Sequence, residues 1–189
     1  MTRLAPLNKA EMSPEVLAEW ESLARWRKPY ADGTFGGPFD TWLRSPEMSN
    51  QMRRFAGFLW ERTSLDRGLV ELAICIAGHH WQANVEWAAH EPRAVEHGIP
   101  QQVMDDVRAG RAPSTDREDI RVVCEVSRAL LEGKSLSKAL YDRGIAQFGE
   151  RGMVEIAGTV GYYTQVAFTL RMFEVEPGGT PFFERPPEA

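Results

Sequence analysis

All four histidines, His79, His80, His90 and His97, fall between positions 79 and 97, among Glu71, Glu86, Glu91 and Glu96. Nothing else in the chain concentrates groups that titrate near neutral pH. Glu86 and His90 are four residues apart, so on a helix they share one face and can touch. A carboxylate beside an imidazole raises its pKa and orients its proton, as general acid–base chemistry requires. The plainer reading of the same spacing is a surface ion pair at a helix end. Glu71 stands in the apolar run LVELAICIA, either on an exposed stripe or deliberately buried. On one straight helix Glu71 and Glu86 would lie about 22 Å apart. They can share a site only if the chain turns between them, and a break near Gly78 to Trp81 is expected.

A metal site competes for the same residues, since His and Glu are ligands. Adjacent His79 and His80 diverge on a regular helix, and Glu-x-x-His pairs of the di-iron type are absent. No metal is therefore expected. Trp81, Trp87, Tyr162 and Tyr163 are core residues or pocket walls. There is no Gly-x-Ser-x-Gly elbow, no phosphate-binding loop and no dinucleotide fingerprint. Gly33 to Gly37 follows no strand and is not read as a phosphate loop.

The elements that must position these residues are helical throughout, with almost no strand signal. Ser13 and Pro14 open a helix to about Trp26. Lys28 to Phe39 is a Gly- and Pro-rich loop that could serve as a lid. Short and long helices follow, at Asp40 to Leu43 and after Ser45. The next opens at Ser64 or Asp66 and is interrupted at Gly78. Gln82 to His90 is a helix, and Pro92 starts a new helix or a kink. Gln101 to Ala109, Thr115 to Glu132, Ser135 to Phe148 and Glu150 to Phe173 complete the set. RGLVELA at Arg67 to Ala73 recurs as RGMVEIA at Arg151 to Ala157, and Gly78-His79-His80 is echoed by Gly161-Tyr162-Tyr163. The repeat predicts a duplicated helical hairpin, one half chemical and one structural.

With 189 residues, 43% of them hydrophobic, the chain suits one domain with a real core. Residues 1–36 form an N-terminal helix and loop, 37–175 the core, and 176–189 a Pro-rich tail. Twenty-seven acids against 22 bases argue against nucleic acid or an anionic membrane as partner. Met1 to Lys9 has no apolar core, and the longest apolar run, Leu69 to Gly78, is about half a membrane span. A cytoplasmic protein is expected. Cys75 and Cys124 lie far apart in apolar patterns, as buried hydrophobes rather than a disulfide framework. The apolar excess predicts a homo-oligomer. The tail, with Phe182 and Phe183, is either a strap around a neighbouring subunit or a disordered end.

The string ELAICIAGHHWQANVEWAAHEPRAVEHGIP, with GPFDTWLRSPEM before it and GERGMVEIAGTVGYYTQVAFTLRMFEVE after it, resembles the carboxymuconolactone decarboxylase, or AhpD-like, family. The resemblance covers most of residues 37–175. It implies an all-α fold assembled as a trimer or hexamer. The thiol-peroxidase branch uses a glutamate, a Cys-x-x-Cys pair and a histidine. Glu71 and His90 fall on the glutamate and histidine positions, while Ala83 and Glu86 fall on the two cysteine positions. A dithiol cycle is therefore impossible here. What remains resembles the acid–base branch of aromatic-compound catabolism. This implies a lyase that works without a cofactor, with Glu71, Glu86 and His90 catalytic and His80, Trp81 and Tyr162 against a small-molecule substrate. His90 held by Glu86 would be the proton donor. Decarboxylation and isomerisation stay open, as does a non-catalytic oligomeric binding protein on the same fold.

Overall fold

The computed structural model describes residues 2–178 and 180–184. Helix α1 (Pro14–Trp26) is followed by α2 (Phe39–Trp42), α3 (Pro46–Glu61), α4 (Arg67–His80) and α5 (Asn84–Glu96). Then come α6 (Gln101–Arg108), α7 (Glu118–Leu131) and α8 (Lys138–Met172). Among the described residues there is no strand, and no helix is long and apolar enough to cross a membrane. Ser13 caps α1, its Oγ accepting from the amide of Val16, with Pro14 in the first turn. Ser45 precedes α3 but makes no side-chain cap bond.

The core centres on α4. Every residue from Gly68 to Gly78 is buried, including Glu71. A helix apolar on all sides must be covered on all sides, and α5, α7 and α8 pack around it. Helix α1 lies on α3, where buried Glu19 accepts from Ser49 Oγ at 3.0 Å and Asn50 Nδ2 at 3.2 Å. Helix α8 bends at Gly149 (φ 63°, ψ −179°) into arms 138–148 and 150–172. That backbone favours glycine, which lacks the Cβ that clashes there.

The break expected near Gly78 to Trp81 is present at Trp81, but neither Gly78 nor Pro92 itself ends a helix. Gly78 lies inside α4, and the chain reverses only at Trp81–Ala83. There Gln82 adopts φ 52°, its amide donating to the His79 carbonyl and that of Ala83 to the Gly78 carbonyl. This left-handed helix stop is built without glycine. Pro92 likewise lies inside α5. It has no N–H to give the Ala88 carbonyl, but the packing of α5 on α4 carries the helix across the missing bond.

The sequence repeat is present as two helices with the same pairing. Arg67 and Glu71 form an ion pair at i, i+4, and so do Arg151 and Glu155, at 2.8 Å. The copies then diverge. The first turns back into α5, whereas the second runs on to Met172 and leads into the irregular tail. The tail folds onto its own chain. Asn84 Oδ1 accepts from the amides of Phe182 and Phe183, both at 2.8 Å, and Phe183 meets the edges of His79 and Trp87. A disordered end does not describe residues 180–184, because buried Asn84 holds Phe182 and Phe183 in place. Residues 185–189 lie outside the described residues.

The start of α4 touches the end of α5, and a Cβ on Gly68 would collide with the His97 carbonyl oxygen. Gly68→Ala is expected to cost about 1–3 kcal/mol, because backbone cannot move aside as a side chain can. Thermal denaturation reads this as a fall of roughly 2–4 °C per kcal/mol.

Candidate active site

The turn at Trp81–Ala83 brings α5 back along α4, so that residues 19 apart in sequence meet. His90 Nδ1 lies 2.5 Å from Glu71 Oε2. Glu71 is 0% exposed, and its other oxygen takes the guanidinium of Arg67. Burial would raise the carboxyl pKa, but the hydrogen bond and charge of His90, joined by Arg67, outweigh it and hold it below the ordinary value. Burial lowers the His90 pKa, and the bond from Glu71 only partly offsets this. At neutral pH the pair is therefore a carboxylate and a neutral imidazole whose Nδ1–H donates to Glu71. That leaves Nε2 as a base.

Glu86 is held otherwise than its spacing suggests. It is 2% exposed, and neither carboxyl oxygen has a hydrogen-bond partner among the described residues. The Glu86–His90 contact expected from i, i+4 spacing is replaced by the Glu71–His90 contact. Glu86 instead packs against Gly78, where an added Cβ would come 3.4 Å from Glu86 Cβ. The glycine foreseen as a helix break is thus where α4 lies close under Glu86. Burial with nothing to neutralise it pushes the Glu86 pKa well above the carboxylate range, so it carries a proton.

Both groups line one cavity of about 510 Å³, a size that suits a small organic molecule. Tyr162, Tyr163 and Val166 of α8 and Ala56 and Trp60 of α3 form its inner wall. Tyr30 and Gly36 to Phe39 supply another side, so the loop read as a possible lid contributes a wall here. Residues 176–178 of the tail close a further part. Arg27 and Arg93 also face the cavity, lying over the rings of Phe39 and Trp60. Neither is in an ion pair among the described residues.

His80 and Trp81 are placed elsewhere. His80 lines a separate cavity of about 330 Å³ with His79, Arg128 and Glu132. Trp81 Nε1 donates to Thr164 Oγ1 at 3.1 Å, and its ring meets the edge of Phe168, pinning α4 to α8. His80 ends α4, and Trp81 begins the turn that aims α5 at the cavity. Tyr162 does line the cavity, but its hydroxyl donates to the Met52 carbonyl at 3.1 Å. Among the described residues, no group of three or more His, Cys, Asp or Glu is arranged to hold a metal ion. Arg93 was legible in principle, since 86, 90 and 93 follow helical spacing. Arg27 and Trp60 gave no such signal, because other helices bring them in, and Tyr163, read as core or pocket wall, is both.

The second copy of the repeat shows what the first has gained. Glu155, with its Arg151, accepts from the amide and Oγ of Ser64, both at 2.7 Å. It secures the loop before α4, while Glu71 in the equivalent position secures an imidazole.

No family model and no curated protein sequence matches the chain. Its structure is similar to the alkylhydroperoxidase AhpD core of an uncharacterized peroxidase-related protein from Ralstonia eutropha JMP134. The TM-score is 0.71 over 94% of this chain and 92% of that one, at 12% identity. The fold is the AhpD core fold. At that identity the likeness speaks to the fold alone.

Proposed function

We propose that this cavity is the active site of a cofactor-independent acid–base enzyme that decarboxylates, or isomerises, a small carboxylated lactone or aromatic-derived unsaturated acid. One observation carries the reading. Two groups pushed to opposite protonation states, the acid Glu86 and the base His90, face the same cavity. The guanidinium groups of Arg27 and Arg93, in no ion pair among the described residues, favour an anionic substrate.

In decarboxylation, the bond to the leaving carboxylate breaks and its electron pair enters the conjugated carbonyl. Glu86 then delivers its proton to carbon, and solvent restores it. In isomerisation, His90 Nε2 takes a proton from carbon next to the carbonyl, Glu86 returns one further along the conjugated system, and solvent then takes the proton from His90 and restores that of Glu86. Glu71 keeps His90 in the tautomer that presents Nε2 and stabilises the imidazolium once it forms.

Thiol chemistry finds no support. Burial raises the Cys75 thiol well above its ordinary pKa and that of Cys124 to about 12, and neither lines the cavity. A homo-oligomer belongs to the same proposal. Val154 is 71% exposed on α8, and Phe55, Phe168 and Met172 are also exposed, an apolar surface that a second subunit would cover. Light scattering reads its mass.

The test is turnover of small unsaturated carboxylic acids and lactones in D2O, followed by NMR. Loss of carboxyl carbon, or deuterium at carbon, is expected with the wild type; the first is expected to be lost with Glu86→Gln and the second with His90→Ala. If compounds bind yet no carbon-bound proton exchanges, the protein is a binding protein on this fold.

A further inference from the structure

The hydroxyl of Tyr163 has a job within the protein only as an acceptor. It takes the indole N–H of Trp60 at 3.2 Å. Nothing among the described residues accepts its own proton, although the residue is only 4% exposed. Its ring meets the edge of His90, with centroids 5.0 Å apart, and it lines the same cavity as Glu86. Tyr162 beside it differs, since its proton is already committed to the Met52 carbonyl. A buried hydroxyl without an acceptor is costly unless a ligand supplies one.

We propose that Tyr163 is the hydrogen-bond donor to the oxyanion that forms on the substrate carbonyl. The inference rests on the acid–base reading above. When the carbon-bound proton passes to His90, or CO2 leaves, the electron pair moves onto the carbonyl oxygen. The Tyr163 hydroxyl hydrogen-bonds to that oxygen without transferring its proton. Glu86 is then left to protonate carbon, so the two acids do not compete for one role. The Trp60 bond turns the phenol and strengthens it as a donor. Burial raises the Tyr163 pKa well above its ordinary value, which keeps the proton in place at any working pH. Donors aligned in advance with developing charge are among the strongest contributions to catalysis.

The experiment needs no natural substrate. 4-Nitrophenolate carries a stable oxyanion, and 4-nitroanisole is a neutral molecule of similar shape. The wild type is expected to bind the phenolate more tightly than the anisole. Tyr163→Phe is expected to reduce that preference by about 10- to 100-fold, the value of a hydrogen bond to a charged group. Tyr141→Phe, at an exposed tyrosine outside the cavity, is expected to keep it. An unchanged preference in Tyr163→Phe, or no preference in the wild type, overturns the proposal. Should Tyr163→Phe fail to fold, the four tyrosines can be labelled at Cζ, with Tyr30, Tyr141 and Tyr162 assigned by substitution. Phenolate binding must then shift the remaining resonance, and an unmoved signal overturns the proposal. If the preference depends on Tyr163 but no compound exchanges a carbon-bound proton, the acid–base reading fails and Tyr163 stands only as the donor to a bound anion. If turnover is found and Tyr163→Phe leaves kcat unchanged, the donor fails and the reading stands.

Discussion

Glu86→Met is expected to lower turnover by about 10²–10⁴-fold, the range for losing a general acid, and yet to make the protein more stable. The wild-type carboxyl is buried with both oxygens unpartnered among the described residues. A side chain of similar reach with no polar oxygens removes that penalty, worth roughly 1–3 kcal/mol. The gain depends on pH. In the unfolded chain Glu86 ionises near about 4.3, whereas in the fold its pKa is raised well above that. Below the unfolded value the group is neutral in both states, and no stability is lost. As pH rises, the unfolded chain releases its proton while the native state holds on. Native stability falls until the folded pKa is reached. The advantage of Glu86→Met over the wild type should therefore widen from pH 4 to pH 8. Denaturant unfolding across that range measures it. A variant less stable at every pH would mean that Glu86 is ionised and paired. Gain of stability with loss of function is what a strained functional site predicts.

Glu71→Gln should act on the other limb of the pH profile. The wild-type kcat/KM is expected to rise as His90 loses its proton, below the ordinary imidazole value, and to fall as Glu86 loses its own, above the ordinary carboxylate value. Glu71 raises the His90 pKa through its hydrogen bond and charge. Glutamine removes that charge, so the rising limb moves to lower pH while the falling limb stays. The amide can also offer an N–H to Nδ1 and favour the tautomer whose Nε2 carries a proton. A rate loss of about 10²–10⁴-fold follows, by analogy with carboxylate–histidine pairs elsewhere. Stability changes with the opposite sign to Glu86. The Glu71 pKa is lowered in the fold, so its contribution is present above the unfolded value and lost as pH falls through the folded one. Glu71→Gln should therefore be less stable than the wild type at pH 7 and approach it in acid. A rising limb that does not move would show that Glu71 does not act on His90.

The sequence by itself determined the helices. Caps such as Ser13 with Pro14, the bend glycine at Gly149 and the apolar periodicity are local, and helix formation answers to local signals. It also singled out Glu71, Glu86 and His90, because a carboxylate in an apolar run and an i, i+4 pair are visible without a fold. Only the tertiary structure decided how they are used. Spacing favours Glu86 as the partner of His90, but the α4–α5 hairpin offers Glu71 instead and leaves Glu86 unpartnered. Gly78 and Pro92 read as breaks, because a missing Cβ and a missing N–H look alike whether a helix stops or is held by its neighbours. Trp60 and Arg27 could not be found at all, since they reach the cavity from α3 and the end of α1, and Tyr163 was readable only as core or pocket wall. Hydrogen bonding within a helix reaches four residues, whereas a cavity is assembled wherever packed elements leave space. The chemistry present was therefore legible in the sequence, but which acid holds which base was settled by packing.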